Sequence, residues 1–180
     1  MIFIELINSE HIHGPDHVDD HLDKAEWLYE ALKAWGFEIR DIAPWVGPLR
    51  ELRIVLRAAV AELMEFGQLN EANISQLNSF LGPITYRYRV DLDAEGKTAL
   101  RGTFEDQSPT HVIALGFCRY LENEDMKRLK LCENTRCREA FIDPTRNKSK
   151  KWCASNACGN LTKVRAFRAR KAVQVKNEKS

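Results

Sequence analysis

The sequence predicts a mainly helical α+β fold, with a helical N-terminal domain carrying one β-hairpin and a small cysteine-built module after it. Three observations carry this reading. Apolar residues recur every three or four positions over several long stretches before residue 122. One stretch, Ile84 to Leu92, instead alternates apolar and polar residues, the period of a strand. Four of the five cysteines stand in two pairs near the end, spaced C-x4-C-x15-C-x4-C.

Composition bounds the class. Of 180 residues, 44% are hydrophobic and 29% charged, which is ordinary for a globular protein. No run of eighteen apolar residues exists, so no membrane span is expected. Met1-Ile-Phe-Ile-Glu5 lacks the basic flank and apolar length of a signal peptide, and the expected compartment is a reducing cytoplasm. The net charge of +1 hides a division. Residues 1–129 hold 13 Lys and Arg against 22 Asp and Glu, whereas residues 130–180 hold 14 against 4. An acidic body followed by a basic end suggests two modules, the second suited to a polyanion.

Taken in order, Phe3, Ile4 and Ile7 form a short apolar element that periodicity alone assigns to neither helix nor strand. The next segment, from His11 and His13 through Asp16, His17 and His21 to Asp23, concentrates four of the five histidines. His17 and His21 are four apart, which would place them on one helix face. A second metal site or a polar ligand pocket fits the residue types, but Gly-Pro-Asp is turn and cap chemistry, and a solvated loop entering a helix fits better. Residues 20–35 read as an amphipathic helix through Leu22, Trp27, Leu28, Leu32 and Trp35, ended by Gly36. Pro44 and Pro48 are expected to bracket a turn. Leu49, Leu52, Leu56, Val60 and Leu63 then trace a long helix closed by Gly67. Arg50, Arg53 and Arg57 repeat on another face, read as a solvated flank pairing with Glu51 or Glu62.

Ile74, Leu77 and Leu81 mark a further helix that stops at Gly82-Pro83. Ile84–Leu92, a turn at Asp93–Gly96 and a return strand over 97–104 make the hairpin. Tyr86 and Tyr88 alternate with Arg87 and Arg89, so the tyrosines are assigned to the core rather than to a nucleic-acid stacking platform. Ser108-Pro109 opens a helix that is apolar on nearly every side and includes Cys118, read as a small buried hydrophobe. The charged run from Glu122 to Lys130 is the expected boundary. This gives a body over about 1–126, a module over 127–171 and a polar tail over 172–180.

In that module, paired thiolates at this spacing suit one tetrahedral zinc ion bound by Cys132, Cys137, Cys153 and Cys158, with Zn–S distances of about 2.3 Å. All four positions are taken, so the ion is structural. Disulfides are disfavoured in a chain with no secretory segment, and the C-x-x-C spacing of a redox dithiol is absent. The order of two cysteines, a strand at Glu139–Asp143, a basic loop, two cysteines and a helix is that of a treble-clef-like finger. Phe141, Ile142 and Trp152 are assigned to packing, and Leu161, Val164 and Phe167 to an inward stripe. Arg146, Lys148, Lys150, Lys151, Lys163, Arg165, Arg168, Arg170 and Lys171 supply nine cations and no acid. They suit DNA phosphates and guanine edges, and RNA equally.

Cys132-x-Asn134-x-x-Cys137, Phe141-x-Asp143, Arg146-Asn147, Trp152-Cys153-x-Ser155, Cys158-Gly159-Asn160, Lys163 and Arg168-x-Arg170 resemble the CGNR-type zinc finger. The acidic body, with its Phe-x-Glu-Leu-Ile-Asn start and an acidic helix ahead of Trp35-Gly36, is similar to the ABATE domain that precedes this finger in bacterial proteins described as stress-induced transcription regulators. The resemblance implies a bacterial protein, zinc on the four named cysteines, and DNA binding. Leu161 departs from it, standing where the family signature ends in arginine.

The resulting expectation is a bacterial transcription regulator with no enzymatic activity. Its body would bind a small-molecule ligand or form a homodimer, and its finger would hold a basic helix against DNA or RNA. A protein-interaction adaptor, with the finger as a rigid basic knob, is the alternative from another class. An enzyme built on the His/Asp cluster lacks a nucleophile-with-base motif or a glycine-rich phosphate loop. The two modules are expected to be separable, so that Cys153→Ser would unfold the finger and leave the body intact.

Overall fold

The computed structural model describes residues 1–12, 18–82, 85–104, 108–134 and 136–177. Its elements are α1 (Ile2–Ile7), β1 (Glu10–Ile12), β2 (Val18–Asp20), α2 (Ala25–Ala34), α3 (Ala43–Phe66), α4 (Glu71–Leu81), β3 (Tyr86–Leu92), β4 (Thr98–Phe104), α5 (Pro109–Asn123), β5 (Leu129–Leu131), β6 (Ala140–Ile142) and α6 (Asn160–Asn177). The strands form three separate antiparallel hairpins, β1-β2, β3-β4 and β5-β6. The fold is thus α+β and mainly helical.

The core forms where α1, α3, α4 and α5 meet. Leu49, Leu52, Leu56, Ala59, Val60 and Leu63 bury one face of α3, against Phe3, Leu6, Ile113, Ala114 and Phe117. Phe3 meets Phe117 edge-on, with centroids 5.4 Å apart. Gly67 closes α3 at φ 73°, a left-handed conformation that glycine adopts without a Cβ clash. Asn70 caps α4 by accepting from the Asn73 N–H at 2.8 Å. Pro44 and Pro48 lie within α3 rather than in a turn. Pro44 sits in the first turn, where a missing N–H leaves no hydrogen bond unmade, and Pro48 follows within one further turn.

After α1 the described residues form the antiparallel pair β1-β2, and the expected pairing of His17 with His21 falls on His17, which lies outside the described residues, as do His13 and Asp16. The register sets Glu10 directly opposite Asp20, two acids that would repel if unpaired. The arginines of α3 resolve that repulsion. Arg53, only 2% exposed, donates to both Asp20 carboxylate oxygens at 2.7 and 2.6 Å and to Ser9 Oγ at 2.8 Å. Arg57 pairs with Glu10 and donates to the Ile7 carbonyl at 2.7 Å, and Arg50 reaches Asp23 at 2.6 Å and Asp20 at 3.2 Å. The three arginines are therefore not a solvated flank of Glu51 or Glu62. Arg53 lies four residues after Leu49 and three before Leu56, on the buried face itself.

The β3-β4 hairpin departs further from expectation. Its register pairs Tyr88 with Gly102 and Val90 with Leu100, which puts Tyr88, Val90, Leu92 and Leu100 on one face. That face is open, with Tyr88 68% exposed. The core assignment fails for Tyr88 because no helix among the described residues covers this face, although the strand alternation is as the sequence predicts. The side chain of Tyr86 lies outside the described residues.

The third hairpin joins the tail module to the body. Leu129 and Ala140 belong to the same buried cluster as the helices. β5 packs on α3 and β6 on α1. Asn8 extends β6 as a strand would, donating from Nδ2 to the Ala140 carbonyl at 3.0 Å and accepting the Ala140 N–H on Oδ1 at 2.7 Å. The run from Glu122 to Lys130 takes in the end of α5, a short 3-10 turn at Met126–Arg128 and the start of β5. Beyond residue 171, helix α6 continues to Asn177. No helix among the described residues is long and apolar enough to cross a membrane.

Candidate metal centre and nucleic-acid interface

The first cysteine pair sits in the loop between β5 and β6, so the hairpin flanks these two residues instead of lying between the pairs. The Cys132 N–H bonds the Glu139 carbonyl at 2.8 Å, and the Cys137 N–H bonds the Asn134 carbonyl at 2.8 Å, folding a tight knuckle. Arg138 completes it in the left-handed region at φ 57°. A bond from the Glu133 N–H to the Lys151 carbonyl at 2.9 Å ties this knuckle to the second pair.

Asp143, fully buried, organises the basic loop between the pairs. It accepts from Lys130 Nζ at 2.7 Å, from the N–H groups of Thr145 and Lys150 at 2.8 Å each, and from the Thr145 hydroxyl at 2.6 Å. Burial alone would raise its carboxyl; these donors overcome that and hold it well below the usual carboxylate range. The sequence did not assign Asp143 this role, though it lies in the Phe141-x-Asp143 pattern.

The second pair flanks and enters a π-helical turn, Ser155–Gly159, that runs into α6, with Cys153 just before the turn. Cys158 lies in this turn, just ahead of α6, and the Thr162 hydroxyl anchors its carbonyl at 2.8 Å. A Cβ at Gly159 would stand 3.1 Å from Trp152 Cε3, tight enough to push the indole back by a few tenths of an ångström, so glycine lets it lie close against the backbone there.

These elements bring together the sulfurs of Cys132, Cys137, Cys153 and Cys158, all within 4.8 Å of one another. Cys137 and Cys153 are 3.5 Å apart, and Cys153 and Cys158 3.7 Å. A disulfide would hold them at about 2.05 Å. Four sulfurs about 2.3 Å from a central ion stand about 3.8 Å apart in a tetrahedron, close to the separations of these two pairs. Burial pushes the Cys137 thiol up to about 12 and the Cys153 thiol further. For Cys158, burial is outweighed by the Asn134 side chain and the other three sulfurs, and its value falls. Crowded thiols of this kind ionise together only around a cation, so zinc uptake displaces their protons. The four residues fit one structural zinc ion. Among the described residues no other group of ligating side chains is placed to hold a metal. In the His/Asp segment, Asp20 is held by Arg53, and Asp19 by Lys24 at 2.7 Å.

Residues 128–171 match the CGNR zinc finger family. No curated protein matches the chain significantly. A four-cysteine finger of this kind is a metal-dependent scaffold for holding a nucleic acid or protein partner.

The nine predicted cations of this segment separate into two groups. Lys148 pairs with Asp125 at 2.5 Å and Lys151 with Glu133 at 3.4 Å. Lys150 lies over the Phe141 ring at 5.0 Å and Lys163 over Trp152 at 5.9 Å. Arg165 donates to Asn134 Oδ1 at 3.2 Å. Arg146, Arg168, Arg170 and Lys171 are exposed and make no ion pair among the described residues. The stripe of Leu161, Val164 and Phe167 does not face inward. All three are exposed, Phe167 by 60%, because α6 leaves the finger at Asn160 and its main packing partner among the described residues is the π turn that starts it. Trp152, Phe141 and the β5-β6 hairpin fill the interior the stripe was assigned to.

Proposed function

We propose that the chain is a DNA-binding bacterial transcription regulator, a binding protein rather than an enzyme. In this reading the CGNR finger presents α6 to the double helix, and the ABATE-like body provides regulation. The observation that carries it is α6 itself: an 18-residue helix standing off the finger, with Arg168, Arg170 and Lys171 unpaired among the described residues. A helix of that width enters a major groove, and unpaired guanidinium groups reach phosphates without first breaking internal ion pairs. Arg146 extends the same charge from the basic loop.

Fluorescence anisotropy with a random-sequence duplex across a salt series tests this. Affinity should fall by about 0.9 log unit per log unit of salt for each phosphate contact. Arg165→Glu, Arg168→Glu and Arg170→Glu together should abolish binding at unchanged zinc content. Salt-insensitive binding, or full binding by the triple variant, contradicts the reading. An RNA duplex in parallel identifies the preferred polyanion.

The exposed Leu161, Val164 and Phe167 favour a second reading, in which a protein partner buries this stripe and acidic groups meet the flanking cations. A partner retained after nuclease treatment and lost on Phe167→Ser supports the adaptor instead.

A further inference from the structure

We infer that two copies of the chain pair through the outer edge of β3, joining their β3-β4 hairpins into one four-stranded antiparallel sheet. A two-stranded hairpin is at best marginally stable alone, and further strands or a packed face are what hold it. Among the described residues β3-β4 is a two-stranded sheet with both faces open, Val90, Leu92 and Leu100 on one and Arg87, Arg89 and Arg101 on the other. The Asp93 N–H bonds the Lys97 carbonyl at 2.8 Å. By the alternation of an antiparallel ladder, the backbone of Asp91 and Arg89 then bonds toward β4, and the N–H and C=O groups of Tyr88, Val90 and Leu92 point to the outer edge.

The order of charges along that edge identifies the occupant as a second copy. The strand and its first turn residue read Arg87-Tyr-Arg89-Val90-Asp91-Leu-Asp93, with cations one and three positions before Val90 and anions one and three after it. A two-fold axis at Val90 therefore sets Arg89 opposite Asp91 of the second copy and Arg87 opposite its Asp93, each pair occurring twice. The same axis sets Tyr88 opposite Leu92 and Val90 opposite its own copy. Residues directly opposite in a sheet share a face and interact, and a two-fold contact must be self-complementary in this way. Moving the axis to Arg89 or to Asp91 sets that charge against itself, so the pattern selects one register. Within one chain Arg89 meets Asp91 at 2.9 Å, but an exposed pair of this kind is worth little and does not hold the charges back from the second copy. The interface is independent of the DNA-binding reading.

Sedimentation equilibrium of the full zinc-loaded chain tests this. The native chain should form a dimer of twice its 20.7 kDa mass as concentration rises. Arg89→Asp and Asp91→Arg each set like charges opposite one another twice, and each alone should raise the dimer dissociation constant about tenfold or more. Mixing the two variants should restore dimers, because an acidic strand on one copy then faces a basic strand on the other. Circular dichroism and zinc content should match the native chain in both, since the two side chains stand on an open face. Val90→Pro removes the central outward N–H without costing a bond to β4, and should also give monomers. Phe167→Ser on the exposed stripe of α6 should leave the dimer intact. A native chain that stays monomeric up to about 100 μM overturns the inference, as does a dimer that both single charge variants leave unchanged, or one that their mixture fails to restore.

Discussion

Cys153→Ser is expected to abolish zinc binding, unfold α6 and lower the stability of the helical body as well. Three thiols cannot complete a closed structural site, and the finger's folding energy comes from the metal, with apparent values of about 10–16 kcal/mol in isolated zinc fingers. The charge boundary suggested that the loss would stop at the finger. The packing gives a different expectation. Leu129 and Ala140 sit in the common core, Asn8 of the body makes two hydrogen bonds to Ala140, and Met64 of α3 lies 3.0 Å from the Leu131 N–H. Once the knuckle opens, the β5-β6 hairpin loses its closing loop and these contacts weaken. The unfolding midpoint of the body should fall by about 10 °C or more, read by near-UV circular dichroism of its tryptophans. A variant whose body melts as the native chain does would show that the hairpin holds without metal.

Arg53→Met should be the most damaging single change in the body, destabilising it by about 3–5 kcal/mol. Methionine fills much of the arginine volume, so the effect isolates the charge. Asp20 and Glu10 would then face each other across the β1-β2 register with only Arg50 and Arg57 at the periphery. The same network makes stability depend on pH. Burial tends to raise the Asp20 carboxyl, but Arg53, the Leu22 N–H and Arg50 lower it to about 2. A depressed carboxyl contributes stability that is fully present above its unfolded value of about 4 and lost as pH falls through its folded value. Between about pH 4 and 2 the native chain should lose about 2 kcal/mol from this group. Denaturant unfolding at pH 7 and pH 3 checks both points; an Arg53→Met variant with native stability at pH 7 would mean the network contributes nothing net.

The residues most legible in the sequence were those whose chemistry has a fixed spacing. Two Cys-x4-Cys pairs specify a closed thiolate site almost independently of what surrounds them, and the structure assembles these four sulfurs. The long helices were legible from their apolar period, as was the end of α3 at Gly67. What the sequence concealed depends on which surfaces meet. Alternation put Tyr88 and Val90 on one face correctly, but nothing local states that this face stays exposed. Leu161, Val164 and Phe167 repeat as a buried stripe would, yet the finger's interior is already filled by Trp152 and Phe141. Arg53 was hidden for the opposite reason. Its spacing from Leu49 and Leu56 places it on the buried face, but a cation there makes sense only with Asp20 and Glu10, residues that α3 meets through tertiary packing.

The most direct test of the central claim is to titrate zinc into the metal-free chain while following the anisotropy of a labelled DNA duplex. Binding should rise with added metal and level off at one zinc per chain, the capacity of the four-cysteine cluster. Metal-free protein that binds the duplex as tightly as the loaded form would contradict it, because α6 would then need no finger to present it.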